Sequence, residues 1–307
     1  MSSLTDLQFV TVVGKGGVGK TTVAAALALA AARRGKRVLV AMCNAKERLS
    51  QLLEVEAIGP RNARVLENID AVNMVPKLAL EEYGMMVLKV RTVYKAIFEN
   101  RFVSAFLRGT PGLEAWAMLG KAYFHTKEKG PDGRPRYDLV ILDSPATGHG
   151  LDMLRVPKVL LDVAPPGLLR KEAEGAWKLF SDAKRAGALI VTLPEDMPAN
   201  ETLELHAALR DELNLPVAGL AINSVLPTLL SEDERAWLDT TDTAELRESS
   251  IAHLLRAGRR RTARERVQEE SMALLKRELD MPQIQLPALL TPEFKRAQVE
   301  ELSQRFE

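Results

Sequence analysis

The residues best equipped for chemistry lie near the start of the chain, in VVGKGGVGKTT, Val12 to Thr22. Gly14, Gly19, Lys20 and Thr21 satisfy the spacing G-x-x-x-x-G-K-[ST]. The chemistry this pattern serves is the grip on a nucleoside triphosphate. Gly14, Gly16, Gly17 and Gly19, with Val18 among them, let backbone N–H groups converge on phosphate oxygens. A helix starting at the lysine adds the partial positive charge of its first turn, where Thr22 also lies. Lys20 reaches the β- and γ-phosphates in such a loop, and the Thr21 hydroxyl holds Mg²⁺. Lys15 is unnecessary for the turn and brings a further cation to the phosphates.

A second group sits at YDLVILDSPATGHGLDMLRVP, Tyr137 to Pro157. Asp143 ends an apolar, strand-like run, and an acid in that position binds Mg²⁺, usually through water. His149 has no His or Cys neighbour at ligand spacing, which favours a hydrogen-bonding or switch role over metal binding.

These residues need a scaffold that delivers a strand end to a helix start. Short β-branched runs at Phe9 to Val13, Arg37 to Ala41, Ala71 to Val75, Leu139 to Leu142, Leu189 to Leu193 and Val217 to Ile222 read as buried parallel strands. Between the first two, TTVAAALALAAARR (Thr21 to Arg34) is apolar on most faces and reads as a buried helix, with Gly35 just past its end. Strand, helix, strand at this spacing gives a right-handed βαβ unit. The fold class expected is α/β, a doubly wound, mostly parallel sheet of the P-loop NTPase kind, with a helical insertion. Residues 1–307 form one domain in this reading, and a helical subdomain occupies about 76–136, with part of 150–185 a candidate addition. Tyr83, Val87, Val90, Tyr94, Ile97 and Phe102 follow helical spacing inside it.

The loop GKGGVGKTT resembles the deviant Walker A loop of the MinD, ParA and ArsA ATPases, in which the extra lysine crosses a dimer interface to the partner's nucleotide. That resemblance implies a dimer with Lys15 acting in trans. The run S-P-A-T-G-H is similar to the D-T-A-P-T-G-H switch of the arsenite-pump and tail-anchored-protein-targeting ATPases. Pro145 and Ala146 are exchanged, while Thr147, Gly148 and His149 fall in place. INSVLP, Ile222 to Pro227, resembles the family's N-x-V-L-P, which implies that Asn223 reads the adenine ring; a turn or cap asparagine is the plain alternative. Pro194, Glu195, Glu201 and Thr202 resemble a P-E…E-T element, and Pro111 to Ala115 a helix start in the helical subdomain. Together these matches make the chain similar to the ArsA family over most of its length. What the resemblance implies is an ATPase using ATP and Mg²⁺, a homodimer or a heterodimer with a related ATPase, and a protein client held by the helical subdomain.

One interval departs from the family. VLVAMCNAKERL, Val38 to Leu49, puts Asn44 where the family has the aspartate that orients or deprotonates the attacking water. An amide holds a water but cannot take its proton, so turnover is expected to fall by ~10²-fold or more. Either Glu47 substitutes, or the chain binds ATP as a switch or a non-hydrolysing regulatory subunit. Cys43 is the single cysteine, so neither the CxxC zinc clasp of the eukaryotic relatives nor the multi-cysteine metalloid site can form within this chain.

Composition limits the alternatives. With 42 Lys plus Arg against 41 Asp plus Glu, the formal net charge is +1, which argues against nucleic acid as a partner and so against DNA positioning; a MinD- or ParA-like positioning ATPase acting on membrane or DNA is the alternative reading. No run approaches the ~18 apolar residues of a membrane span, and MSSLTDLQ lacks a signal-peptide pattern. One cysteine fits a reducing compartment, so a cytoplasmic protein is expected. Arg256 to Glu270 carries many arginines, but glutamates follow closely, and a solvated or intrachain-paired helix face is the expectation. Met85 to Leu88 reads as packing against Leu113 to Phe124, with a hydrophobic client groove as the sharper alternative.

Overall fold

The structure, a computed structural model, describes residues 3–43, 46–88, 112–241 and 250–307. In chain order the elements begin with β1 (Phe9–Val13), α1 (Lys20–Arg33), β2 (Val38–Cys43), α2 (Leu49–Leu53), β3 (Ala63–Leu66) and β4 (Ile69–Met74). There follow α3 (Pro76–Leu88), α4 (Leu113–Lys127), β5 (Leu139–Asp143), α5 (Thr147–Val163), α6 (Leu168–Phe180), β6 (Ala186–Thr192) and α7 (Asp196–Ala207). The chain closes with β7 (Val217–Val225), α8 (Glu232–Thr240), α9 (Ser250–Glu278), β8 (Gln283–Pro287) and α10 (Arg296–Ser303).

The strands form one sheet in the order β3-β4-β2-β5-β1-β6-β7-β8. Every neighbouring pair is parallel except β3 with β4. Alternation along the inner strands explains why helices cover both faces. Phe9 and Val13 of β1, Leu39 and Ala41 of β2, and Val140 and Leu142 of β5 enter one core with α4, α5 and α6. Val10 and Val12, Val38 and Val40, and Leu139 and Ile141 enter the other core with α1 and α10. Residues of period two cannot leave either face to water here, so the strands read as continuous apolar runs.

α1 is buried from Val23 to Ala31, and its alanines let it lie close on the sheet. It ends as the sequence predicts. Gly35, at φ +75°, donates to the Ala32 carbonyl (2.9 Å), and Lys36 donates to that of Ala31 (3.1 Å), closing a Schellman motif.

Two strands were not legible in the residues, and both lie at the sheet edges. β3 turns into β4 through Asn68 at φ +60° and carries Arg64, which bridges to Asp70 across the hairpin. β8 reads Gln-Ile-Gln-Leu-Pro. An edge strand is half solvated, so neither shows the unbroken apolar run that marks a buried strand. Between β4 and β5 the described residues form α3 and α4, which pack together with the Tyr83 ring edge-on to Trp116 at 5.9 Å. The spacing from Val90 to Phe102, and Pro111, lie outside the described residues. A polar seam runs beneath these helices. Buried Lys121 pairs with Glu82 and donates to the Pro60 carbonyl (3.2 Å), while buried His125 sits between Glu128 (2.7 Å) and Asn62 (3.2 Å). Met85 and Met86 are half-buried beside it; the side chains of Val87 and Leu88 lie outside the described residues. No described helix is long and apolar enough to cross a membrane.

Candidate functional site

Sheet order brings the chemistry-bearing residues together at the carboxyl ends of β1, β5, β6 and β7. β1 is an inner strand, paired with β5 on one side and β6 on the other, with Val12 opposite Asp143 and Val13 opposite Ile190. Ligands of doubly wound folds bind at such strand ends.

The loop from Gly14 to Gly19 joins β1 to α1 under tight constraint. Gly14, Gly17 and Gly19 have φ of +148°, +88° and +94°. A Cβ on Gly14 would collide with the Val191 carbonyl, and one on Gly19 with the Asn223 amide. Both glycines are required by close approach as well as by backbone angle. Lys20 folds back across the loop and donates to the carbonyls of Gly14 and Lys15, each at 3.0 Å. Burial lowers its ammonium pKa below the usual lysine value, with the Asp143 charge opposing.

The Thr21 hydroxyl donates to Asp143 at 2.6 Å, so the first turn of α1 and the end of β5 meet in one oxygen pair. Burial pushes the Asp143 carboxyl up to about 6, against the opposing pulls of Thr21 and Lys20. A hydroxyl and a carboxylate beside a phosphate loop fit Mg²⁺, a hard cation that takes one or two protein oxygens and leaves the rest to phosphates and water. Ser144 fastens the same corner, its hydroxyl donating to the Val12 carbonyl at 2.7 Å. The residues alone gave no sign of this tie, because Ser144 and Val12 are joined only by strand pairing.

Lys15 does not point along the loop. Its ammonium meets Glu201 of α7 at 2.6 Å and the Met197 sulfur at 2.7 Å. Glu201 belongs to the P-E…E-T element already singled out; Met197 carried no sequence signal. Of the remaining loop residues, Gly16 and Gly17 are exposed, Val18 is buried and Thr22 is half-buried on α1. Gly16 lies against Ala146, 3.6 Å from where its Cβ would stand, which sets the start of α5 beside the loop. Gly148 and His149 are exposed in the first turn of α5. Asn44 and the Thr147 side chain lie outside the described residues. Glu47 accepts from the Ser50 N–H at 2.7 Å and from the Ser50 hydroxyl, so it is engaged at the start of α2. Cys43 is buried near the Met153 sulfur, and burial reinforced by the Asp143 charge raises its thiol pKa far above the ordinary value, keeping it neutral.

Asn223 is buried and donates to the Val18 carbonyl at 2.8 Å, which ties the end of β7 to the phosphate loop. Beside it opens a cavity of about 540 Å³ with walls of Leu193, Pro194, Leu226, Val267 and Ala288. Ser224, at φ +60°, and Glu195, Arg264 and Gln268 supply its polar lining. Gln268 is locked by a pair of bonds to the Leu226 backbone, accepting from its N–H (2.8 Å) and donating to its carbonyl (3.0 Å). Apolar walls with few polar groups next to a phosphate loop suit the base and ribose of a nucleotide. Asn223 was singled out in the sequence, whereas α9 as a wall was not.

Comparison with known proteins agrees with this geometry. Residues 7–164, just over half of the chain, match the model of the anion-transporting ATPases. The chain is 29% identical over 263 residues to ATPase BagA of Mycobacterium tuberculosis, covering 84% of this chain and 74% of that protein. It is 26% identical over 282 residues to ATPase GET3C of Arabidopsis thaliana, covering 74% and 69% respectively. With the arsenical pump-driving ATPase of Acidiphilium multivorum it shares 25% identity over 237 residues, 72% of this chain and 40% of that protein.

Proposed function

Since the chain belongs to the anion-transporting ATPase family, the ArsA and GET3 ATPases, we propose that this ATPase works as a dimeric switch that couples its nucleotide state to a protein client or a partner subunit. The observation that carries the reading is the assembly of Lys20, Thr21 and Asp143 at one corner, with Lys20 spanning the loop and Thr21 bonded to Asp143. In this reading ATP lies along Gly14 to Thr22 with its base in the cavity beside Asn223. Mg²⁺ is held by Thr21 and Asp143, and supplies charge neutralisation between the β- and γ-phosphates when bound. Lys15 leaves Glu201 to reach the nucleotide of the second chain. Thr147, Gly148 and His149 sense the γ-phosphate, and the movement of α5 is passed to the helical subdomain of about 76–136. The dimer is read as cytoplasmic, in keeping with one buried, reduced cysteine.

Asn44 makes hydrolysis slow, since an amide cannot take the proton of the attacking water. Glu47 is engaged with Ser50, which supports the slow-switch reading over its substitution as base. Steady-state ATP hydrolysis by the wild type and by Asn44→Asp tests this. A gain of about tenfold or more in Asn44→Asp is expected; brisk wild-type turnover that Asn44→Asp leaves unchanged would overturn it.

A further inference from the structure

α9 carries more positive charge than its own packing uses. Several charges on its inner face are engaged. Glu265, 1% exposed, receives Arg235 at 2.7 Å, Arg261 at 2.6 Å and the Leu229 N–H at 3.1 Å. Arg259 donates to the Leu238 carbonyl at 2.8 Å, and Arg266 pairs with Asp239. Left over in its N-terminal half are Arg256, Arg260 and Arg264, four residues apart and therefore one stripe about 12 Å long. All are exposed, and no described carboxylate pairs with any of them. Ile251, Leu254 and, on the adjoining α8, Trp237 are also exposed, at 57%, 71% and 58%. Arginine beside exposed tryptophan and large aliphatics is the composition of an interface core, not of a solvated helix face.

The position of the stripe says what covers it. Arg264 lines the base cavity and also a second cavity of about 330 Å³ formed with His253, Arg256 and Arg260. The stripe thus starts at the rim of the nucleotide site and runs outward. Glu195 lines the same cavity, and α7, which starts at the next residue, exposes Asp196 and Glu204, with Met197 62% exposed among them. A basic ridge and an acidic ridge flank one cavity, and the chain as a whole is close to neutral. A polyanion would meet the acidic ridge as soon as it followed the basic one. A second copy meets neither conflict, because a two-fold axis sets each ridge against its opposite twice.

We infer that the Arg256, Arg260 and Arg264 stripe of α9 docks on the acidic edge of α7 in a second copy of this chain, closing the rim of the nucleotide cavity. This rests on the reading that ATP brings two chains together. The surface makes that dimer electrostatically self-complementary and sensitive to salt.

Sedimentation velocity of the full chain, with and without Mg²⁺-ATP, tests it in three preparations. Arg256→Glu with Arg260→Glu is expected to weaken ATP-dependent dimerisation at least tenfold, and Asp196→Arg with Glu204→Arg to do the same. Mixing the two variants is expected to restore a dimer through opposite charges. All four sites are exposed, so circular dichroism of each variant should match the wild type. Dimerisation of Arg256→Glu/Arg260→Glu at wild-type affinity, or a mixture that stays monomeric, overturns the inference. Loss of DNA binding in that variant with dimerisation untouched also overturns it. A wild type that stays monomeric with ATP overturns the dimer reading itself, a result distinct from the others.

Discussion

Replacing Glu201 by Gln should make the ATP-dependent dimer tighter. Lys15 is bound to its own chain, with Glu201 at 2.6 Å and the Met197 sulfur at 2.7 Å, and cannot meet a second chain's nucleotide without leaving them. The pair is one third exposed on each side, 33% for Lys15 and 36% for Glu201, which makes it a partly screened surface bridge. Such bridges contribute about 0.2–1 kcal/mol. The proposed dimer breaks two, so the latch opposes association by about 0.4–2 kcal/mol, roughly 2- to 30-fold in the dimer dissociation constant. Glutamine keeps the size of the side chain and removes its charge. The assay is the dimer dissociation constant with Mg²⁺-ATP, measured at low and high salt. The gain should shrink at high salt, because screening already loosens the wild-type bridge. An unchanged constant would show that the bridge opposes nothing. A weaker dimer would refute the reasoning more deeply, since Glu201 would then be holding Lys15 in its working position.

Gly19→Ala should abolish ATP binding, read by fluorescence of a labelled nucleotide. The residue sits at φ +94° and its new Cβ would drive into the Asn223 amide that holds the Val18 carbonyl. A stability loss of about 1–2 kcal/mol, seen as a lower melting temperature, should accompany it. Asp138→Asn should destabilise the fold by about 1–2 kcal/mol at neutral pH in urea melts. Asp138 accepts from the Arg37 backbone N–H (2.9 Å) and twice from its guanidinium (3.0 and 2.8 Å), and those bonds hold its carboxyl below the usual aspartate range. A depressed folded pKa stabilises above the unfolded value of about 3.9 and is lost as pH falls through the folded one. The gap between wild type and variant should therefore be constant from pH 7 to 5 and close below about pH 4.

How much of this was readable in the residues depended on burial. Inner strands such as β1 and β5 are covered on both faces, so their apolar runs leave no other reading. The edges β3 and β8 alternate with polar residues and escaped notice. The phosphate loop was legible because one short segment holds all its parts. Asp143 was legible because a strand end precedes it. The cavity beside Asn223 was not, since Leu193, Ser224, Gln268 and Ala288 come from four segments and share only the sheet order. Nor could Lys15 be seen to rest on Glu201, because a charge pair 186 residues apart has no local pattern.

The same contrast separates what is fixed in the site from what is free to respond. Thr21, Lys20 and Asp143 stand on α1 and β5, whose roots lie inside the two cores, and Ser144 fastens β5 to β1 again at the corner. Those donors are held before any ligand arrives, so little binding energy is needed to assemble them. Gly148 and His149 sit exposed at the first turn of α5, Lys15 is held by one partly screened bridge, and Arg256, Arg260 and Arg264 of α9 have no described acid. A ligand shifts an equilibrium only through groups it contacts differently in the two states. In the proposed switch the exposed set is the one free to make such different contacts. In the proposed switch, a neutral residue at position 44 slows the chemical step and leaves the buried donors intact. Binding and closure can persist where hydrolysis is weak, which is what a nucleotide switch requires.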